Sequence, residues 1–217
     1  MSHTANADTG WRRAIADTVG AVADAQTYKN ILYLTLAFPL GLLYYVITFV
    51  GFTAGLALSV LVVGLGILVG TVIGLRFVAA FERWLANSLL GTDIASPDDV
   101  ASDTDGLVDT VKAYLRASST WRGLGFVLLK FWIGLVSFVL LVSLLGVAVE
   151  LLLLPVVPGG AFNVTVNDWE VATSFTTSTH RLAAVPAGAV LGIVALNVLN
   201  AFARANASIA ESLLGSQ

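Results

Sequence analysis

The chain has 217 residues, of which 57% are apolar and 12% charged, about half the charged share of an average soluble domain; this excludes an ordinary soluble domain and places the chain in lipid. The absence of cysteine excludes disulfides, thiolate metal sites, iron–sulfur clusters and a cysteine nucleophile. With a formal net charge of −3 and no basic stripe along the chain, no nucleic-acid partner is expected.

Residues 1–26 predict a cytoplasmic segment with an amphipathic helix, because Trp11, Ile15, Val19 and Val22 recur at helical spacing. No apolar core ending in a small-residue cleavage site occurs there, so no signal peptide is expected. Between Lys29 and Arg76 lie 46 residues without an Asp, Glu, Lys, Arg or His. A bilayer core of about 30 Å needs roughly 20 apolar residues per helix, so this stretch predicts two spans, about 31–53 and 54–77, turning tightly near Gly51 and Gly55. An exit helix over 78–91 follows, with Phe77, Phe81, Trp84, Leu85 and Ser88 on one face and Gly91 as its cap. Residues 92–119 hold Asp93, Asp98, Asp99, Asp103, Asp105 and Asp109, which read as a salt-adapted surface or a solvated acidic linker, and an amphipathic helix through Leu107, Val108, Val111, Tyr114 and Leu115. A third span covers about 124–154, an outer loop 155–181 and a fourth span 182–203. Within the loop, Phe162 to Val166 and Trp169 to Val171 alternate around Asn167-Asp168, which predicts a short β-hairpin.

Every backbone donor must be satisfied inside lipid, which helices do without partners. The predicted fold class is therefore an all-α membrane protein with four transmembrane helices. Ten of the eleven basic residues fall on the side shared by both termini and the central segment, and only Arg181 falls on the other. The positive-inside rule then predicts a cell-membrane protein with cytoplasmic termini.

The four spans read as two duplicated helical hairpins. A slide of 93 residues lays Thr27-Tyr28-Lys29 on Thr120-Trp121-Arg122, and Gly41 on Gly134. A slide of 124 lays Ser88-Leu89-Leu90-Gly91 on Ser212-Leu213-Leu214-Gly215. The repeats are 27–91 and 120–217, and the 31-residue difference between the slides is the outer loop, present only in the second copy.

Several residues are candidates for function. Gly66, Gly70 and Gly74 in the second span, and Gly188 and Gly192 in the fourth, make flat grooves for close helix packing, within the chain or across a homodimer; packing within the chain is the favoured reading. Lys130 and Glu150 mark the membrane boundaries of the third span, Lys130 snorkelling to the headgroups. Asn197 and Asn200 are expected to bond to a neighbouring helix. Apart from Pro39, no span carries an interruption of the kind a transporter needs near its midplane. In the outer loop, Asp168, Trp169, Glu170, His180 and Arg181 form the candidate sensing group; one His with two carboxylates is too few for a metal site, and no cofactor is expected. Asn163-Val164-Thr165 fits the glycosylation sequon. No phosphate loop, nucleophile elbow or triad occurs, so no enzyme activity is expected.

Tyr28-Lys29-Asn30-Ile31-Leu32-Tyr33-Leu34, Phe38-Pro39-Leu40-Gly41, Phe81-Glu82-Arg83-Trp84-Leu85-Ala86, Thr120-Trp121-Arg122 and Pro186-Ala187-Gly188 resemble the Putative sensor domain family of prokaryotic membrane proteins, over about residues 27–215. In that family the domain serves as the input module of sensor histidine kinases and also occurs alone. The resemblance implies a signal-input role and brings no ligand residues with it. With two residues after Gly215, no kinase region follows, and the expectation is a stand-alone sensor acting through a separate signalling or membrane partner. The rival expectations are a structural or assembly subunit of a membrane complex and a small transporter.

Overall fold

The computed structural model describes residues 20–97, 107–162, 165–166, 169–170, 175 and 177–215. Its elements are α1 (Ala25–Ala57), α2 (Val62–Leu89), α3 (Leu107–Arg116), α4 (Ser118–Leu140), a π-helical turn (Leu141–Leu145), α5 (Gly146–Leu153), the two-residue strands β1 (Thr165–Val166) and β2 (Trp169–Glu170), and α6 (Ser178–Leu214). β1 and β2 pair antiparallel, Thr165 opposite Glu170 and Val166 opposite Trp169. Four helical stretches are long and apolar enough to cross a membrane: Ala25–Ala57, Val62–Leu89, Ser118–Leu153 and Ser178–Leu214. The segment 1–19, with its predicted amphipathic helix, lies outside the described residues, as do Asn163 and the turn pair Asn167-Asp168.

Three expectations are corrected. The first hairpin does not turn at Gly51 and Gly55; it turns over 58–61, where the Leu61 N–H donates to the Leu58 carbonyl and the Gly64 N–H to the Leu61 carbonyl. An uncharged stretch gives no local mark of its turn, and the glycines serve another purpose. A Cβ at Gly51 would strike the Thr71 side chain, and one at Gly55 would lie 2.6 Å from the Leu68 side chain, so both let α1 and α2 approach closely. Second, the exit helix is not a separate element, because α2 runs unbroken through Val62–Leu89. Gly91 follows it at φ 70°, the left-handed conformation that a helix C-terminus favours glycine for. Third, the long apolar run after Ser118 is interrupted by the π turn at Leu141–Leu145. An extra residue in one turn leaves a mostly apolar sequence pattern, here with Ser143 alone polar in the turn, almost unchanged, so hydropathy does not reveal it.

The chain divides into two compact units, Met1–Ile31 with Val139–Phe202, and Leu32–Phe138 with Ala203–Gln217. In the second, α1 and α4 cross at their glycines. A Cβ at Gly41 would stand 2.6 Å from the Lys130 carbonyl oxygen, and one at Gly134 would strike the Ala37 carbonyl. The contact is reciprocal, since 37 and 41 plus 93 give 130 and 134. Phe38 stacks on Phe138 at 4.8 Å and Tyr45 on Phe131 at 4.9 Å, while Tyr44, Leu75 and Val127 form a buried core with Leu40, Phe52, Val78 and Leu124 around it. In the first unit, Leu154 and Ala184 are buried against Leu151 and Phe175.

Candidate functional site

α4 is apolar on either side of Lys130, twelve residues into the helix. The expectation that this lysine snorkels is wrong: its side chain and that of Glu82 on α2 are both fully buried, with Nζ 2.7 Å from Glu82 Oε2. Nζ also donates to the Tyr33 hydroxyl of α1 at 2.8 Å. It lies 4.0 Å from the Tyr33 ring centroid and 5.8 Å from that of Phe126, within the range of cation–π attraction. A lysine snorkels when headgroups are the nearest acceptors; here a carboxylate and a phenol on two other helices are nearer. Removing two charges from water costs several kcal/mol per ion, roughly, and only good geometry offsets it. One cluster thus ties α1, α2 and α4 at a single point.

The cluster has unused polar capacity. Glu82 Oε1, the Tyr44 hydroxyl and the Thr48 hydroxyl are buried with no partner at full hydrogen-bond geometry, as is Glu150 Oε1. Tyr44 lies near the Glu82 carboxylate, and Thr48 is one turn further along α1.

In the sequence Glu82 is marked only as part of a family motif. The signal that could have found it is the pair of slides. Sliding by 93 lays Lys130 on Ala37 and Tyr33 on Phe126, and sliding by 124 lays Glu82 on Asn206. Both charges stand where the other copy is neutral.

Two threonine joints lie near the starts of α1 and α4. In one unit, Asn200 Nδ2 donates to Thr27 Oγ1 at 2.8 Å and its Oδ1 accepts from Asn30 Nδ2 at 2.9 Å. In the other, Arg76 Nη1 donates to Thr120 Oγ1 at 2.9 Å and Ser119 Oγ at 3.1 Å, its guanidinium 4.7 Å from the Tyr114 ring centroid. Asn200 thus bonds a neighbouring helix as expected, whereas Asn197 donates to the Ile193 carbonyl of its own helix. Nearby, the Tyr28 hydroxyl donates to the Val22 carbonyl and Trp121 Nε1 to the Leu115 carbonyl, again 93 residues apart at both ends.

Glu150 is fully buried. Its Oε2 accepts from the backbone N–H of Ala161 at 3.0 Å and of Phe162 at 2.9 Å, so it holds the start of the segment between α5 and α6. Of the predicted sensing group, Asp168 and the Trp169 side chain lie outside the described residues. Glu170 is half-buried in β2, His180 is exposed at the start of α6, and Arg181 Nε donates to the Phe175 carbonyl at 2.8 Å. Among the described residues no three His, Asp or Glu gather as metal ligands.

The glycines divide. A Cβ at Gly188 would stand 3.0 Å from the Ala148 carbonyl oxygen, and one at Gly192 would be 3.8 Å from the Ala148 Cβ, whereas Gly66, Gly70 and Gly74 have nothing within 4 Å of that position. Among the described residues these three are not tight contacts, although Gly70 and Gly74 line a shallow cleft with Val46, Ile47, Val50 and Gly51 of α1.

Four membrane-length helices and an ion pair buried among three of them define a multi-pass membrane protein. Residues 33–214 match the family described as "Putative sensor", and the chain belongs to that family. No curated protein and no solved structure matches it.

Proposed function

We propose that this protein is a membrane signal-input protein whose state is held at the Lys130–Glu82–Tyr33 cluster and passed to a separate signalling partner. The observation that carries this reading is the ion pair itself, buried on both sides. Ionisable residues inside a membrane are costly and mark function, and a joint between three helices is the kind of contact that has two discrete arrangements, made and broken. A sensor needs such an element, because a stimulus acts only by favouring one arrangement over the other.

In the fuller form of this reading the termini are cytoplasmic, the segment 155–181 meets the outside, and the frame is two duplicated hairpins. The paired contacts 93 and 124 residues apart support the duplication: Thr27 with Asn200 and Thr120 with Arg76, and Gly41 and Gly134 each against the other's helix. The test is to capture the partner from gently solubilised membranes and follow its output with Glu82→Gln and Lys130→Met. Output frozen in one state by either substitution is expected; output that keeps its full response in both overturns the reading.

One observation favours a second reading, an assembly subunit. The open positions at Gly66, Gly70 and Gly74 continue into the exposed Phe77, Phe81 and Trp84 on the same side of α2. A single partner captured in fixed stoichiometry, with no stimulus-dependent output, would favour it.

A further inference from the structure

Glu82 is fully buried, and Tyr33, Tyr44 and Thr48 are nearly so. Nothing larger than a water molecule or a proton reaches the carboxylate without opening the helices. The hydrogen-bond count at the cluster is incomplete. A lysine ammonium has three donors and a carboxylate two acceptor oxygens; Lys130 uses Glu82 Oε2 and the Tyr33 hydroxyl. Glu82 Oε1 and Thr48 Oγ1 reach no partner at full hydrogen-bond geometry, and the Tyr44 hydroxyl has none beyond the Glu82 carboxylate it stands beside. Buried polar atoms in native proteins bond to protein or to internal water, so orphan atoms gathered in one place point to something small that completes them. Their order is informative. Glu82 Oε1 is at the ion pair, Tyr44 lies near that carboxylate, and Thr48, one turn along α1, lines a cleft of about 320 Å³ together with Tyr45, Phe49, Thr53, Leu124 and Leu128. Three of the four buried orphan side-chain atoms among the described residues therefore run from the ion pair to a cleft.

We propose that Glu82 is a proton-binding site, taking up a proton at Oε1 along a route formed by the Thr48 and Tyr44 hydroxyls with internal water, and that this uptake releases Lys130 and opens the α2–α4 joint. The inference rests on the signal-input reading and names its ligand as the proton. The step balances simply: one O–H bond forms on Oε1, no bond to carbon changes, and the cluster gains one positive charge. Protonated Glu82 gains a donor that the Tyr44 oxygen or a bridging water can accept, while Lys130 keeps its charge and loses its counter-ion. An unpaired ammonium is not tolerated in a dry interior, so the joint opens to water. The titratable groups facing Glu82 are Lys130 from α4 and Tyr33 and Tyr44 from α1; Arg76 and Arg83 flank it along α2.

The test uses the full chain in phosphatidylcholine vesicles and infrared difference spectroscopy between about pH 4 and about pH 9, the span over which exposed and buried carboxyl groups titrate. A component of the protonated-carboxyl band that grows on acidification and is missing in Glu82→Gln, over and above the signal of the other thirteen Asp and Glu, is expected. Because Glu82→Gln leaves Lys130 unpaired and can misfold, the Lys130→Met/Glu82→Leu double variant is measured beside it and must also lack this component. Tyr44→Phe and Thr48→Val should keep the component and slow its appearance after a pH jump by about tenfold or more. Opening is read with cysteines at Ala79 and Gly123, whose Cβ positions lie 3.4 Å apart, close to the separation a disulfide spans. Cross-linking should fall as the component grows and stay constant in the double variant. A band unchanged in both Glu82 variants relative to the unsubstituted chain overturns the proposal. That result leaves partner output intact as the separate test of the signal-input reading.

Discussion

Two places in this protein are related by the slides of 93 and 124 residues and are built differently. Tyr33, Lys130 and Glu82 form a charged cluster; the corresponding residues Phe126, Ala37 and Asn206 carry no charge, and all three are buried. The same contrast holds at the threonine joints, where Asn200 serves Thr27 and Arg76 serves Thr120. Replacing a buried ion pair by apolar residues is often neutral or stabilising, whereas removing one partner is strongly destabilising. Stability alone therefore gives no reason for the charges at Lys130 and Glu82, and the proposed signal-input role supplies one.

The largest effect should come from breaking the charged cluster on one side only. Lys130→Ala or Glu82→Ala should each cost about 3–5 kcal/mol in reversible unfolding from lipid or detergent, and Lys130→Met/Glu82→Leu should recover most of that loss. A double variant as unstable as the singles would show that the charges are structural after all. A middle effect comes from the glycine crossing. Gly134→Ala forces α1 and α4 apart and should cost about 1–3 kcal/mol, while Gly66→Ala, with nothing to meet, should stay within about 0.5 kcal/mol; equal costs would mean the crossing is looser than its geometry. The smallest effect concerns the neutral joint. Asn200→Ala should cost about 1 kcal/mol through its lost bonds to Thr27 and Asn30, measured in the same unfolding series, and a cost matching the Lys130 truncation would erase the contrast.

Much of the fold could be read from the chain because lipid imposes a coarse rule. The 46 uncharged residues after Lys29 demand two crossings whatever their packing. The position of the first turn could not be read, since Gly51 and Gly55 suit a turn and a close helix approach equally well. The site was half legible. Lys130 stood out as a charge in an apolar helix, but its partner is 48 residues away, and whether a lysine reaches to headgroups or inward depends on what the other helices present. The threonines, by contrast, were already visible as a repeated triplet.

Glu150 offers a last consequence. Its carboxylate grips the peptide groups of Ala161 and Phe162, eleven and twelve positions further along the chain. The linker therefore does not start as a slack tether where α5 ends; it is clamped near its root. Amide exchange at Ala161 and Phe162 should accordingly lag behind that of Val156 and Val157.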